Sequence, residues 1–311
     1  MKREIISTTK LAKICGVSQG TVDRALNNRK GINPETKERI LRVAKEYGYR
    51  PNQHARCMNS GKSMLIGIVI FDFDNEYFSD LVTEIERRCS EMGYYAIVML
   101  THKDKEKERQ CLENLYYMAV DGIVLCPVNE GEEYEEFLHS LSCPIVTVGN
   151  KLKTLPYAGI DNKRAMYDAT KYVMEKGYEY LVYVMPSLLE NENSYSQSER
   201  LAGFKNAVGD LLHDIQIREF DMPKTDKRVA VICASDSYAL RSLRYIIDEN
   251  CGVIGFDNLR IVEKMNLKLD SVSQDNAKTA NNAIDFLLFG KKISGYIPHS
   301  IIERGSVVEG M

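Results

Sequence analysis

Fourteen Lys and Arg stand against five Asp and Glu in residues 1–62, a net of +9 in a 311-residue chain whose overall charge is −3. That leaves −12 for the remainder, so a small basic head on a larger acidic body directs only the head at a polyanion. Other chemistry is harder to place. The carboxylates could in principle do acid/base work, but G-x-S-x-G, P-loop and metal signatures are absent from the sequence, and no enzyme is expected. The eight cysteines, at 15, 57, 89, 111, 126, 143, 233 and 251, form no C-x-x-C pair and no Cys/His cluster at metal spacing. Free thiols in a reducing cytoplasm are expected, with no metal and no cofactor.

The elements that present the basic residues can be read from periodicity. In Thr8-Thr9-Lys10-Leu11-Ala12-Lys13-Ile14-Cys15-Gly16-Val17-Ser18-Gln19-Gly20-Thr21-Val22-Asp23-Arg24-Ala25-Leu26-Asn27, apolar residues recur at helical spacing on either side of Gly16. Leu11, Ala12 and Ile14 serve a first helix and Val22, Ala25 and Leu26 a second, with Ser18 as N-cap of the second. A helix-turn-helix places its second helix in the DNA major groove; the alternative is a helical pair that never meets DNA. Asn33 as N-cap and Pro34 at the first helical position start a third helix with Ile40, Leu41, Val43, Ala44 and Tyr47 on its apolar face, and Gly48 ends it. The run after Pro51 is helix-capable but shorter than the ~12–15 residues an isolated helix needs, so it forms only when something packs on it.

From Met64 apolar strands alternate with amphipathic helices. Strands are expected at 65–71, 94–100, 122–126 and 144–148, with helices at 77–92, 105–119 and 134–140. The pattern then restarts, with helices at 163–176, 198–211 and 238–249 and strands at 180–185, 229–234 and 252–256. Repeated βα units imply parallel sheets, and two such halves imply two lobes with a ligand cleft beyond the strand carboxyl ends. At 44% hydrophobic content the chain can bury large cores. No apolar run approaches the ~20 residues of a membrane span, and the amino terminus is polar and charged, so neither export nor membrane insertion is expected.

Taken in succession, Leu11-Ala12 through Asn27, the Tyr49-x-Pro51-Asn52 step into Ala55, Gly67-Ile68-Val69, Val120-Asp121-Gly122-Ile123, Arg200-Leu201-Ala202-Gly203-Phe204, Ser235-Asp236-x-x-Ala239-Leu240 and Gly255-Phe256-Asp257 resemble the lactose/galactose repressor (LacI/GalR) family. The resemblance covers nearly the whole chain and implies an α/β protein. An N-terminal all-α helix-turn-helix domain (1–50) and a hinge helix with linker (51–62) precede a two-lobed, periplasmic-binding-protein-like effector and dimerisation domain (63–311). Lobe 1 takes about 63–162 plus 275–291, and lobe 2 about 163–273 plus 293–305. It further implies a homodimer on a pseudopalindromic operator in double-stranded DNA. Thr8, Ser18, Gln19, Gly20, Thr21, Arg24, Asn27, Asn52, Ala55 and Met58 then fall at DNA-contacting positions. Gln19 and Arg24 project toward base edges or backbone and Thr21 toward a phosphate. Met58 stands where the family wedges a leucine into the minor groove, or is an ordinary linker residue. Two departures affect specificity: Gly20 removes a base-reading side chain, and Asp23 puts a carboxylate near phosphates unless it is paired, with Arg24 as the expected partner.

For the cleft, the resemblance assigns effector contacts to Asn75, Tyr77, Phe78, Asp161, Arg200, Ser235, Asp257 and Gln274. Tyr77 and Phe78 suit the apolar face of a sugar or the plane of a purine, or are helix-start core residues. An arginine with two carboxylates brackets vicinal hydroxyls by charge-assisted hydrogen bonds, which favours a sugar over a purine. Asp236 suits an N-cap as well as a site. The implied protein is a cytoplasmic transcription regulator, a repressor, whose operator affinity follows the effector. The alternatives are a corepressor-dependent regulator responding to a purine or sugar phosphate, and a sugar-binding transport protein, which would require a secretory signal where this chain has a basic helix-turn-helix.

Overall fold

The computed structural model describes residues 6–49, 61–188, 193–243 and 251–310. They fall into two compact units divided between Ser63 and Met64.

The first unit holds α1 (Thr8–Cys15), α2 (Gln19–Leu26) and α3 (Pro34–Glu46). Each begins on a side-chain cap. Ser7 accepts from the Lys10 N–H, Ser18 from Thr21 at 3.2 Å and Asn33 from Glu35 at 2.9 Å, with Pro34 needing no partner at the first position. Gly16 ends α1 at φ 62, a left-handed conformation costly to any residue with a β-carbon, and its N–H returns to the Ala12 and Lys13 carbonyls. Leu11, Ala12, Cys15, Val22, Ala25, Ile40 and Ala44 form one buried cluster. The apolar faces are narrower than the sequence pattern suggests. Ile14, Leu41 and Tyr47 are 40%, 41% and 55% exposed, because the stripes through Leu11/Cys15 and Ile40/Ala44 already fill so small a core.

The second unit is built on two sheets. The first contains β1 (Leu65–Ile70), β2 (Tyr95–Leu100), β3 (Gly122–Leu125) and β4 (Ile145–Thr147), all parallel, in the order β2-β1-β3-β4. Its connections carry α4 (Glu76–Glu91), α5 (Lys105–Tyr117) and α6 (Glu132–Ser140). The second contains β5 (Tyr180–Met185), β6 (Leu212–Ile217), β7 (Val229–Cys233), β8 (Cys251–Phe256), β9 (Asp270–Gln274) and β10 (His299–Ile302), ordered β10-β9-β8-β7-β5-β6 with only β10 antiparallel. With it go α7 (Asn162–Glu175), α8 (Tyr195–Val208), α9 (Asp236–Ser242) and α10 (Arg260–Lys264). Helix α11 (Asn276–Phe289) returns to the first sheet, where Asp285 meets Arg88 at 2.7 Å and Leu287 packs over Gly122. The chain therefore crosses between the sheets more than once, and Ile160 bridges to Ile297 where two crossings run side by side.

Differences from the sequence reading have local causes. Helix α8 begins three residues earlier than expected and stops before Gly209, whose φ of 56 ends it. Strand β6 is an exposed edge with a mixed pattern. In β9 the polar Asp270 and Ser271 are buried, Asp270 accepting from the N–H groups of Arg304 and Gly305, so neither strand carries a hydrophobic run. Only the part of the 238–249 helix up to Ser242 is described as α-helix, and 244–250 lie outside the described residues. The seven described cysteines are free thiols.

Candidate functional site

Helix α2 offers the surface suited to a groove. Ser18, Gln19, Gly20, Arg24 and Asn27 are exposed and Thr21 is half-buried. Gln19 Nε2 donates to Thr9 Oγ1, which steadies the side chain while leaving its carbonyl oxygen and second N–H for a base edge. The Thr21 and Ser18 hydroxyls lie 2.9 Å apart, and Thr8 Oγ1 sits 3.3 Å from the Tyr49 hydroxyl. Packing does not require the bare position at Gly20, since a β-carbon there would meet only Ser18 Oγ at 3.8 Å. The Asp23 carboxylate is compensated, but not by Arg24. Arg29 Nη1 stands 3.1 Å from Oδ2, and Asn27 Nδ2 donates to Oδ1 at 2.7 Å. The turn after α2 thus folds back on the carboxylate, engaging the Asn27 amide and leaving Arg24 exposed with no ion pair among the described residues. Asn52, Ala55 and Met58, with the expected hinge helix, lie outside the described residues.

In the second unit a cavity of about 480 Å³ opens at the carboxyl ends of both sheets. Seven of the eight expected effector residues line it: Asn75, Tyr77 and Phe78 from the first sheet's side, and Arg200, Ser235, Asp257 and Gln274 from the second. Asp161 does not. Its carboxylate caps α7, accepting from the Arg164 N–H at 2.9 Å, which corrects the expectation at that position. The adjacent Asn162 faces inward instead, and its Oδ1 accepts from Arg200 Nε at 2.9 Å.

Arg200 is placed by α8, which lies close against α7 because residue 203 is glycine; a β-carbon there would fall 2.2 Å from the Lys163 carbonyl oxygen. Its guanidinium lies 3.6 Å over the Phe256 ring, donates to the Ala234 carbonyl at 2.6 Å and stands 3.5 Å from Asp257 Oδ1. Both partners of this ion pair are buried. Asp257 follows β8 in a left-handed conformation, φ 103, which aims its carboxylate into the cavity at a cost a non-glycine residue bears only where its surroundings enforce it. Gln274 Nε2 donates to Oδ1 at 2.8 Å and Asn75 Nδ2 to Oδ2 at 3.0 Å. Burial pushes the Asp257 carboxyl up, opposed by the Arg200 guanidinium and by the hydrogen bonds from Asn75 and Gln274. Asn75 also caps α4, its Oδ1 accepting from Tyr77 N–H at 3.1 Å, so one amide joins the start of a first-sheet helix to the second sheet's carboxylate.

The aromatic wall is continuous, with Phe78 edge-on to Phe71 at 4.5 Å and to Tyr77 at 5.1 Å. Tyr77 and Phe78 are therefore both core and cavity wall, and burial pushes the Tyr77 phenol well above its ordinary value, so that it can act only as a neutral group. Ser235 is buried at the start of α9, and its hydroxyl makes no cap hydrogen bond. Asp236 is neither cap nor cavity lining; fully buried, it accepts from Leu259 N–H at 2.8 Å and from Ser271 Oγ at 2.7 Å.

Sequence reasoning missed three groups. Gln197 lines the cavity with Oε1 buried and lacking a hydrogen-bond partner among the described residues, an acceptor that a ligand hydroxyl would satisfy. Asn150 and Asn193 form a second link across the cavity, with Asn150 Nδ2 donating to the Asn193 carbonyl at 2.7 Å and Ser196 Oγ donating to Asn150 Oδ1 at 2.9 Å. Asn150 follows the end of β4, and that placement beyond a strand carboxyl end was the available signal.

Comparison with known proteins agrees with this arrangement. Residues 63–237 match the family of periplasmic binding proteins and the sugar binding domain of the LacI family, and residues 10–52 match the bacterial regulatory proteins of the lacI family. Catabolite control protein A of Staphylococcus epidermidis is 30% identical over 282 residues, 85% of this chain and 86% of that protein. A lac repressor dimer bound to operator and the anti-inducer ONPF shares the fold with a TM-score of 0.83 at 18% identity, over 98% of this chain and all of that one. A periplasmic binding protein/LacI transcriptional regulator from Alkaliphilus metalliredigens, complexed with D-xylulofuranose, aligns with a TM-score of 0.66 at 22% identity, over 79% of this chain and all of that one. The chain belongs to the LacI family of bacterial regulatory proteins and is a DNA-binding transcriptional regulator, not an enzyme.

Proposed function

We propose that the affinity of this regulator for operator DNA is set by a sugar held in the cavity of its second unit, and that it works in the cytoplasm as a homodimer. Residues 1–50 read DNA, 51–62 form the hinge and 63–311 hold the effector and the dimer contacts. The observation that carries the reading is the Asp257 carboxylate, buried in the cavity, paired with Arg200 and hydrogen-bonded by Asn75 from the opposite sheet. A hydroxylated ligand that takes over these hydrogen bonds changes how the two halves are joined, and so has the differential affinity for two states that any coupling requires. Support for a sugar comes from the cluster of Asn75, Arg200, Asp257 and Gln274, from the unpartnered Gln197 oxygen and from the furanose held by the Alkaliphilus relative. The dimer is supported by the lac repressor likeness and by exposed apolar residues on the outer strands.

The test is footprinting of genomic fragments by the purified full chain across a panel of sugars and nucleobases. One sugar should shift half-maximal operator occupancy by at least about tenfold, which requires only ~1.4 kcal/mol of coupling. Arg200→Lys and Asp257→Asn should still protect the operator but lose that response. Tighter protection with sugar identifies a corepressor and weaker protection an inducer. No protected site under any condition, or an undiminished response in both variants, overturns the proposal.

A further inference from the structure

The mouth of the cavity carries charge that a neutral sugar does not use. Besides buried Arg200, it is lined by Lys103, Arg218 and Arg241, all exposed. Among the described residues, the carboxylates that line the cavity with them are Asp72, Asp74 and Asp257. Asp257 is taken by Arg200, and Asp72 stands 3.5 Å from Lys103 Nζ. Arg218 and Arg241 have no ion pair among the described residues, which leaves two guanidiniums facing one carboxylate, Asp74. Their placement is organised: β2 and β6 each form one edge of their sheet, and Lys103 and Arg218 follow their carboxyl ends. Both adopt left-handed backbone, φ 63 and φ 70. Such conformations are unfavourable for non-glycine residues and concentrate at functional sites. Arg241 lies in the last turn of α9, with its guanidinium 5.8 Å from the Tyr238 ring centre.

Resting on the effector reading above, we propose that the ligand is an anionic sugar, one bearing a phosphate or carboxylate, whose anion is bound at the cavity mouth by Arg218 and Arg241 with help from Lys103. The hydroxyls occupy the interior beside Asp257, Gln274 and Gln197. Guanidinium forks match the oxygens of either anion, and charge-assisted hydrogen bonds are roughly twice as strong as neutral ones. Because Lys103 follows the first sheet and Arg218 the second, the anion draws the two sides of the mouth together.

Calorimetric titration of the full chain with hexoses, their 6-phosphates, the matching uronates and inorganic phosphate tests this. One anionic sugar should bind at least about tenfold more tightly than its neutral parent, the factor expected of one charge-assisted contact. Whether that is the phosphate or the uronate identifies the anion. The advantage should shrink as potassium chloride rises from about 50 to about 300 mM. In the double variant Arg218→Gln/Arg241→Gln it should disappear, while the neutral parent binds as before. Equal affinity for parent and anion, or an advantage that survives in the double variant, overturns the proposal. A neutral sugar that binds as tightly as every anionic one, and whose binding is lost in Arg200→Lys, would defeat the anion subsite and leave the effector reading standing. A panel in which nothing binds counts against both.

Discussion

Asp236 is a carboxyl in an apolar place. Burial pushes it up to about 7 against the opposing hydrogen bonds from Ser271 and the Leu259 N–H. In the unfolded chain the same group titrates near ~3.9. The folded protein therefore holds a proton that the unfolded chain releases above about pH 4, so stability from this group is present below pH 4, is lost as pH rises to about 7 and is flat beyond. For one group the slope is at most about 1.4 kcal/mol per pH unit. Asparagine can accept from Leu259 N–H and donate to Ser271 Oγ without titrating. Urea unfolding of wild type and Asp236→Asn at pH 5, 6 and 8 should show the variant gaining on wild type as pH rises; Asp257, also raised, is present in both proteins and largely cancels. An equal difference at pH 5 and 8 would remove the buried-proton account. At this scale the sequence was legible where a motif fixed both the residue type and its neighbours. The resemblance brought Arg200, Asp257 and Gln274 to one cavity, Asp257 following the end of β8, Gln274 ending β9 and Arg200 projecting from within α8. Asp161 was not, because a carboxylate at a helix start serves the nearest N–H first. Gln197 carries no local signal at all, since it is distinguished only by lacking a partner after folding.

Among the elements, α8 shows how a site residue is held by one that never touches ligand. Gly203 sits one turn from Arg200 and allows α8 to approach the Lys163 carbonyl and the Met166 side chain. Alanine would favour an isolated helix by ~1 kcal/mol, yet here its β-carbon has no space beside a backbone oxygen. Overpacking of this kind costs about 1–3 kcal/mol, so Gly203→Ala should lower stability on balance and push α8 outward. The guanidinium of Arg200 would then shift relative to Asp257, and effector affinity should fall severalfold although residue 203 does not line the cavity. Thermal unfolding with effector titration checks both effects; unchanged affinity in a destabilised variant would show that α8 does not set the Arg200 position. Apart from β6, the regular elements up to β8 were legible because apolar runs alternate with amphipathic helices. Strands β6 and β9 were hidden for opposite reasons, one being an exposed edge and the other burying polar side chains whose partners lie far along the chain.

For the whole molecule the proposed homodimer requires a surface that joins two copies. Helix α4 offers little to an interface, because its large apolar residues Tyr77, Phe78, Leu81 and Ile85 are consumed in the core. Exposed apolar side chains fall instead on the edge strands, with Tyr95 and Val98 on β2 at 62% and 39% exposure and Leu212 and Ile217 on β6 at 47% and 50%. An unprotected edge strand invites pairing unless a partner covers it, and apolar residues there suit a lasting interface better than solvent. Placing carboxylates at two of these positions, Tyr95→Glu with Val98→Glu, should convert the dimer to a monomer in sedimentation velocity, because each charge would have to be desolvated in the interface. Effector affinity should hold, since neither residue lines the cavity. Operator affinity should fall by about a hundredfold or more, because a monomer forfeits the effective concentration that couples two half-sites. A variant that remains dimeric would move the interface off β2, and a monomer that still holds the operator at wild-type affinity would mean that the two half-sites are read independently.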